Sequence, residues 1–151
     1  MERLDLDTYY LKIAQAVAQR ATCLRKQYGA VLVHPIKGIV STGYNGAPVG
    51  EAHCTICTKN NHGKDLSTFL ECKSVHAEMN CIINASKEEM LGADLYLACY
   101  DMTSGKPIEC EAWPCEICLR LIKNAGIDKV ITRQGVIYSR DPETKILKKR
   151  I

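Results

Sequence analysis

The chain has 151 residues, the size of one domain at the usual ~100–200 residues, and its 46% apolar and 25% charged residues exclude a disordered chain. Twenty Lys and Arg against 17 Asp and Glu leave a net charge of +3 and a pI near 8.3, under the roughly 9 that signals a polynucleotide-binding domain, so a polynucleotide partner is not expected. No apolar run approaches the ~20 residues that span a bilayer, and residues 1–7 lack the basic-then-apolar pattern of a secretion signal; a cytoplasmic protein without membrane contact is expected.

Tyr10, Ile13, Ala14, Val17, Ala18 and Ala21 follow helical spacing, with Asp7 as the expected N-cap. Residues 30–34 and 38–44 are β-rich and flank Pro35-Ile36-Lys37, the pattern of a hairpin. Residues 45–74 show little periodicity, and a loop of that length inside a compact domain calls for a functional reason or a staple. Residues 75–87 read as a helix facing Val75, Met79, Ile82 and Ile83 inward. A strand over 93–100, a helix over 114–124 stopped by Gly126, and a strand over 127–132 follow. Strands alternating with helices, after an initial hairpin, predict a single α/β domain over 1–151, with a mixed sheet of about five strands and helices on both faces. The basic segment 145–150 is expected to be a solvated tail or a short edge element.

Nine cysteines are unusual for such a chain. The count is odd and a cytoplasmic chain is expected, so closely spaced cysteines point to metal rather than disulfides. Two motifs stand out: His76-Ala77-Glu78, and Pro114-Cys115-Glu116-Ile117-Cys118. Pro114 is suited to the first position of a helix, and Cys115 and Cys118, three apart, then share one face of its first turn. A helix N-terminus lowers thiol pKa and favours the thiolates that zinc requires. His76 offers a third ligand. Because residues two apart inside a helix point to different sides, His76 must stand at the helix entrance for Glu78 to share its site. Three protein ligands leave a tetrahedral Zn²⁺ one open position for water, and Glu78 then carries protons between water and substrate.

Other readings remain open at this level. The Cys115/Cys118 pair fits a redox motif, and Cys54, Cys57, Cys115 and Cys118 together fit a structural zinc site, although they lie too far apart in sequence for a compact module. Cys81 and Cys99 read as small core residues, and Tyr9, Tyr10, Tyr28, Tyr96 and Tyr138 as packing residues. A zinc-stabilised interaction module without turnover is the rival to an enzyme; Glu78 distinguishes them, since a structural zinc needs no carboxylate beside an open position.

His-x-Glu followed by Pro-Cys-x-x-Cys is the pattern of zinc-dependent nucleobase deaminases. With Ala21-Thr22-Cys23-Leu24-Arg25, Gly29-Ala30-Val31, the run from Ser41 through Gly43-Tyr44-Asn45-Gly46 to Pro48, and His76-Ala77-Glu78-Met79-Asn80, the chain resembles deoxycytidylate (dCMP) deaminases. The resemblance implies a three-layer α/β/α cytidine-deaminase-like fold and hydrolysis of dCMP to dUMP and ammonia. It implies His76, Cys115 and Cys118 as zinc ligands, Glu78 as proton shuttle, and Asn45 and Ala77 as substrate contacts. Gly43, Tyr44, Asn45 and Gly46 match a loop joining the substrate site to an effector site, where dCTP activates and dTTP inhibits; a homohexamer is likewise implied. Deamination of another nucleotide, a nucleoside or a tRNA base is the alternative within the class. A nucleotide phosphate needs a cation, and Arg25 and Lys26 are the first candidates.

Cys54-x-x-Cys57 has metal-ligand spacing, and Cys72 ends the same loop four residues before His76. A second, structural zinc on Cys54, Cys57 and Cys72 would staple the loop, with Cys23 as the fourth ligand and His53 and His62 as competitors. Some members of the resembled family carry a second zinc in this region.

Overall fold

The computed structural model describes residues 1–57 and 71–151. Helix α1 (Leu6–Ala18) is followed by the hairpin of β1 (Lys26–His34) and β2 (Gly38–Tyr44). Helices α2 (Ala77–Ile83) and α3 (Lys87–Met90) lead into β3 (Asp94–Asp101) and the short β4 (Ile108–Cys110). Helix α4 (Glu116–Ala125) and strands β5 (Lys129–Thr132), β6 (Gly135–Arg140) and β7 (Leu147–Lys149) complete the chain.

The strands form one mixed sheet in the order β2-β1-β3-β5-β6-β7, with β4 also paired to β3. Among the described residues it has seven strands, against about five expected. Strand β5 pairs parallel with the first half of β3, and β4 pairs antiparallel with its second half, so both occupy the same edge in succession. Runs of consecutive buried residues in β1 and β3 mean that both faces of the sheet are covered. On one face α1 packs Ala14 against Val31, Tyr96, Ala98 and Ile131. On the other, Ala77 and Cys81 of α2 and Leu119 and Ile122 of α4 pack against Ala30, Leu32, Leu95, Leu97 and Cys99. Among the described residues, no helix is long and apolar enough to cross a membrane.

Several boundaries differ from the sequence reading. Asp5, not Asp7, caps α1, its carboxylate accepting from the Thr8 amide at 2.9 Å and the Thr8 hydroxyl at 2.7 Å. Asp7 instead accepts the Tyr96 hydroxyl at 2.7 Å, joining the first turn of α1 to β3. The single helix expected over 75–87 is two. Ser86 forms a capping box with Glu89 and opens α3, while Val75 lies before α2 in a bridge with Gly46. The inward face of α2 is Ala77, Glu78 and Cys81, and Ile83 is 73% exposed. Gly126 ends α4 as expected, at φ 81°, where the left-handed conformation suits glycine. The basic C-terminal segment contains the edge strand β7.

Candidate active site

The ends of α2 and α4 meet over the sheet. His76 is the N-cap of α2, with extended backbone and no capping bond from its side chain, which leaves the imidazole turned to other partners. Cys115 is the N-cap of α4, and its sulfur accepts from the Cys118 amide at 3.5 Å. Pro114 therefore precedes the cap instead of opening the helix: the thiol takes the capping role that a Ser or Asp oxygen usually fills. His76 Nδ1 lies 3.2 Å from Cys118 Sγ and 3.4 Å from Cys115 Sγ. The three ligand atoms all fall within 4.8 Å of one another, a triangle that can close on one metal ion.

The donors suit zinc as well as the spacing does. Hydrogen bonding from Cys118, reinforced by His76, pushes the Cys115 thiol down to about 3, which favours the thiolate that zinc requires. The Cys118 thiol, which supplies that bond, is pushed up, chiefly because it shares its proton with Cys115. Glu78, in the first turn of α2, is 3% exposed. Burial pushes its carboxyl above the ordinary range, opposed by a backbone amide and by His76. A carboxyl so placed can both accept and return a proton.

The loop after β2 holds α2 in position. Asn45 is buried, with Oδ1 accepting from the Tyr28 amide at 2.8 Å and Nδ2 donating to the Lys26 carbonyl at 2.9 Å. Gly46 and Val75 exchange two backbone hydrogen bonds, at 3.2 and 2.7 Å, which fix the chain immediately before His76. Ser41 Oγ donates to the Cys81 carbonyl at 2.8 Å, and Asn80 Nδ2 donates to the Tyr44 carbonyl at 2.8 Å. Gly43 is the seat of the helix: a Cβ there would stand 2.4 Å from the Ala77 carbonyl oxygen and 2.5 Å from the Cys81 nitrogen. Ala77 itself is fully buried and offers only its backbone to any ligand. Tyr44 is 40% exposed at the end of β2.

Arg25 and Lys26 lie at the start of β1, beside Asp101 of β3. Hydrogen bonds from Thr103, then the charges of Lys26 and Arg25, hold the Asp101 carboxyl low. Cys23, Cys54, Cys57 and Cys72 all line one cavity of about 310 Å³, together with His53 and Ser74. They surround that space without drawing their sulfurs into a group as tight as His76, Cys115 and Cys118, the one such cluster among the described residues. His62 lies outside the described residues. Sequence reasoning treated Tyr28 and Cys99 as packing residues and assigned nothing to Cys110. In the structure they stand side by side across β1, β3 and β4, on the face that also carries Glu78. Only the pairing of three strands reveals that row.

Comparison with known proteins agrees with this geometry. Residues 4–134 match the family described as the cytidine and deoxycytidylate deaminase zinc-binding region. The chain belongs to the cytidine and deoxycytidylate deaminase family. The deoxycytidylate deaminase of Mycobacterium phage D29 is 37% identical over 137 residues, which is 87% of this chain and 96% of the phage protein. The deoxycytidylate deaminase of Saccharomyces cerevisiae is 31% identical across 97% of this chain, which spans only 43% of the yeast protein. The apo crystal structure of dCMP deaminase from cyanophage S-TIM5 superposes with a TM-score of 0.61 at 25% identity, covering 87% of this chain and 85% of the phage chain. The same phage enzyme in complex with dCMP and dUMP superposes with a TM-score of 0.60, at 23% identity and with 87% and 83% covered. This cytidine and deoxycytidylate deaminase thus has a mixed sheet with helices on both faces, shared with a dCMP deaminase, and a His/Cys/Cys group fit for zinc.

Proposed function

We propose that the chain is a single-domain enzyme that hydrolyses dCMP to dUMP and ammonia. Glu78 carries the reading: it is a buried carboxyl two residues from His76, with a raised pKa and no structural ion pair among the described residues. A structural metal site would gain nothing from burying that group, whereas hydrolytic deamination needs a proton carrier at two steps. The matched relatives named as deoxycytidylate deaminases, and the phage enzyme bound to dCMP and dUMP, support the choice of substrate.

His76, Cys115 and Cys118 would hold a zinc ion, with two thiolates and a neutral imidazole balancing its charge. Zinc bound there supplies Lewis-acid activation of water near neutral pH. Glu78 takes a proton from the attacking water and places it on N3 of the ring as oxygen adds to C4. It then delivers a second proton to the departing amine, so ammonia leaves and the C4 carbonyl forms. The buried setting of Glu78 keeps bulk water from competing for these protons.

The substrate contacts follow the loop around α2. Asn45 has one N–H and one lone pair left beyond its bonds to β1, enough to meet a sugar hydroxyl. Ala77 offers its backbone, and Arg25 and Lys26 supply the charge for the phosphate. Gly43, Tyr44, Asn45 and Gly46 couple that site to dCTP as activator and dTTP as inhibitor in a cytoplasmic homohexamer. Cys54, Cys57 and Cys72, with Cys23 as the fourth ligand, would hold a second, structural zinc in the 310 Å³ cavity that they line.

Ammonia release is measured over dCMP, CMP, deoxycytidine and cytosine, each with and without dCTP. We expect dCMP to be preferred, and dCTP to sharpen its saturation curve. Glu78→Gln keeps the shape of the side chain and loses the proton relay. It should retain zinc and lose ~10²–10⁴-fold or more in turnover. A Glu78→Gln variant within tenfold of the wild-type rate refutes the mechanism.

A further inference from the structure

Cys99 and Cys110 stand directly opposite each other across β3 and β4, with their sulfurs 2.7 Å apart. Both are free thiols, and neither belongs to the His76–Cys115–Cys118 cluster. Cys99 is fully buried and Cys110 half-buried. Paired antiparallel strands hold opposed Cα atoms ~4.5–5.5 Å apart, inside the span that a disulfide bridges. Strand β4 is only three residues long. Its side chains are otherwise held by Gln15 donating to Glu109 at 3.1 Å, and the next residue, Glu111, meets Arg133 at 2.9 Å in an exposed ion pair worth little. The chain then runs through Ala112, Trp113 and Pro114 into Cys115. The tie between Cys99 and Cys110 thus joins β4 to β3 five residues before Cys115, with Ala112 and Trp113 packing into the core between them.

We propose that Cys99 and Cys110 form a reversible dithiol–disulfide couple that locks β4 onto β3 when a low-molecular-weight disulfide oxidises it. The more accessible Cys110 attacks the small disulfide RSSR, forming a mixed disulfide and releasing one RSH. Cys99 then attacks the Cys110 sulfur at contact distance, expelling the second RSH with the proton that Cys99 gives up. Two protein thiols lose two hydrogens and two electrons, and one RSSR becomes two RSH. Burial pushes the Cys99 thiol up, which fits its role as the resolving partner rather than the first to react. Tyr28 lies on the other side of Cys99 in the same row, so the couple forms on the sheet face that α2 and α4 cover.

The test uses zinc-loaded protein equilibrated over a series of reduced-to-oxidised glutathione ratios, then alkylated, digested and mapped by mass spectrometry. The expected result is a linked peptide joining Cys99 to Cys110, reversed by dithiothreitol, with zinc content unchanged and slower amide exchange across β4. Cys110→Ala should abolish the link and leave Cys99 alkylatable. Cys99→Ala should stop at a stable glutathione adduct on Cys110. Full alkylation of both residues at the most oxidising ratio overturns the proposal. So does a persistent adduct on wild-type Cys110, or a linkage that involves Cys115 or Cys118 instead.

Discussion

Replacing Gly43 by alanine tests whether the loop after β2 acts on catalysis by seating the helix. The added Cβ would lie 2.4 Å from the Ala77 carbonyl oxygen and 2.5 Å from the Cys81 nitrogen, where ordinary contact begins at 3.4 Å. Both neighbours are backbone atoms of α2, so no rotamer change relieves the overlap, and the helix must lift by about 1 Å. That displacement would draw Cys81 away from Ser41, whose hydroxyl now donates to it at 2.8 Å, and would carry His76 and Glu78 off their positions. Overpacking of this kind costs about 1–3 kcal/mol, and a displacement near 1 Å at a catalytic group costs on the order of 10²-fold. We therefore expect Gly43→Ala to fold with a lowered Tm and to lose about 10²-fold in kcat toward dCMP, with dCTP absent and zinc still bound. Thr42→Ala, whose side chain is exposed on the same strand, should stay near the wild-type rate. A folded Gly43→Ala protein with kcat within threefold of wild type refutes the seating role. A change confined to the dCTP response would assign Gly43 to effector binding alone.

Asn45→Ala removes both side-chain hydrogen bonds to β1 and strands the Tyr28 amide. Urea unfolding should show a loss of about 1–3 kcal/mol, and a change below about 0.5 kcal/mol would contradict it. Asp94 is raised by burial to about 6, above its ordinary 3.8. The native state therefore binds this proton more tightly, and stability falls as pH rises from about 4 to about 6. Asp94→Asn should raise stability at pH 7.5, by about 1 kcal/mol after discounting for solvent screening, and leave it unchanged below pH 4; equal gains at both pH values would refute the assignment. Elemental analysis should find two zincs per chain, falling to one in Cys54→Ser/Cys57→Ser and also to one in Cys115→Ser. A wild-type value of one zinc refutes the second site.

The proposed catalytic group stands out in the sequence because its members are local. His76 and Glu78 lie two residues apart and Cys115 and Cys118 three apart, and each pair needs only a helix start to turn it toward a metal. The hairpin of β1 and β2, the strand β3 and the stop at Gly126 were legible for the same reason: turn chemistry and periodicity act over a few residues. The inward face of α2 was not. An apolar count favours Ile83, yet the helix buries Glu78 and Cys81 because the site lies beneath it, and a functional site is where local pattern rules fail. Strands β4 and β6 were missed, and the edge strand β7 was expected only as one of two alternatives, because short strands are stabilised mainly by their neighbours.

By itself the sequence singled out the candidate ligands, the proposed proton carrier and the alternation of strands and helices, since these follow from residue chemistry and from spacing of a few positions. Only the tertiary structure decided that His76 meets Cys115 and Cys118, that Gly43 leaves room for α2, and that Cys99 faces Cys110. His76 and Cys118 are 42 positions apart in the chain, and Ser41 and Cys81 are 40 apart. Contacts at that range form when sheet register and helix packing bring distant segments together. That register is set by burial on both faces of the sheet at once, which no short window of sequence contains.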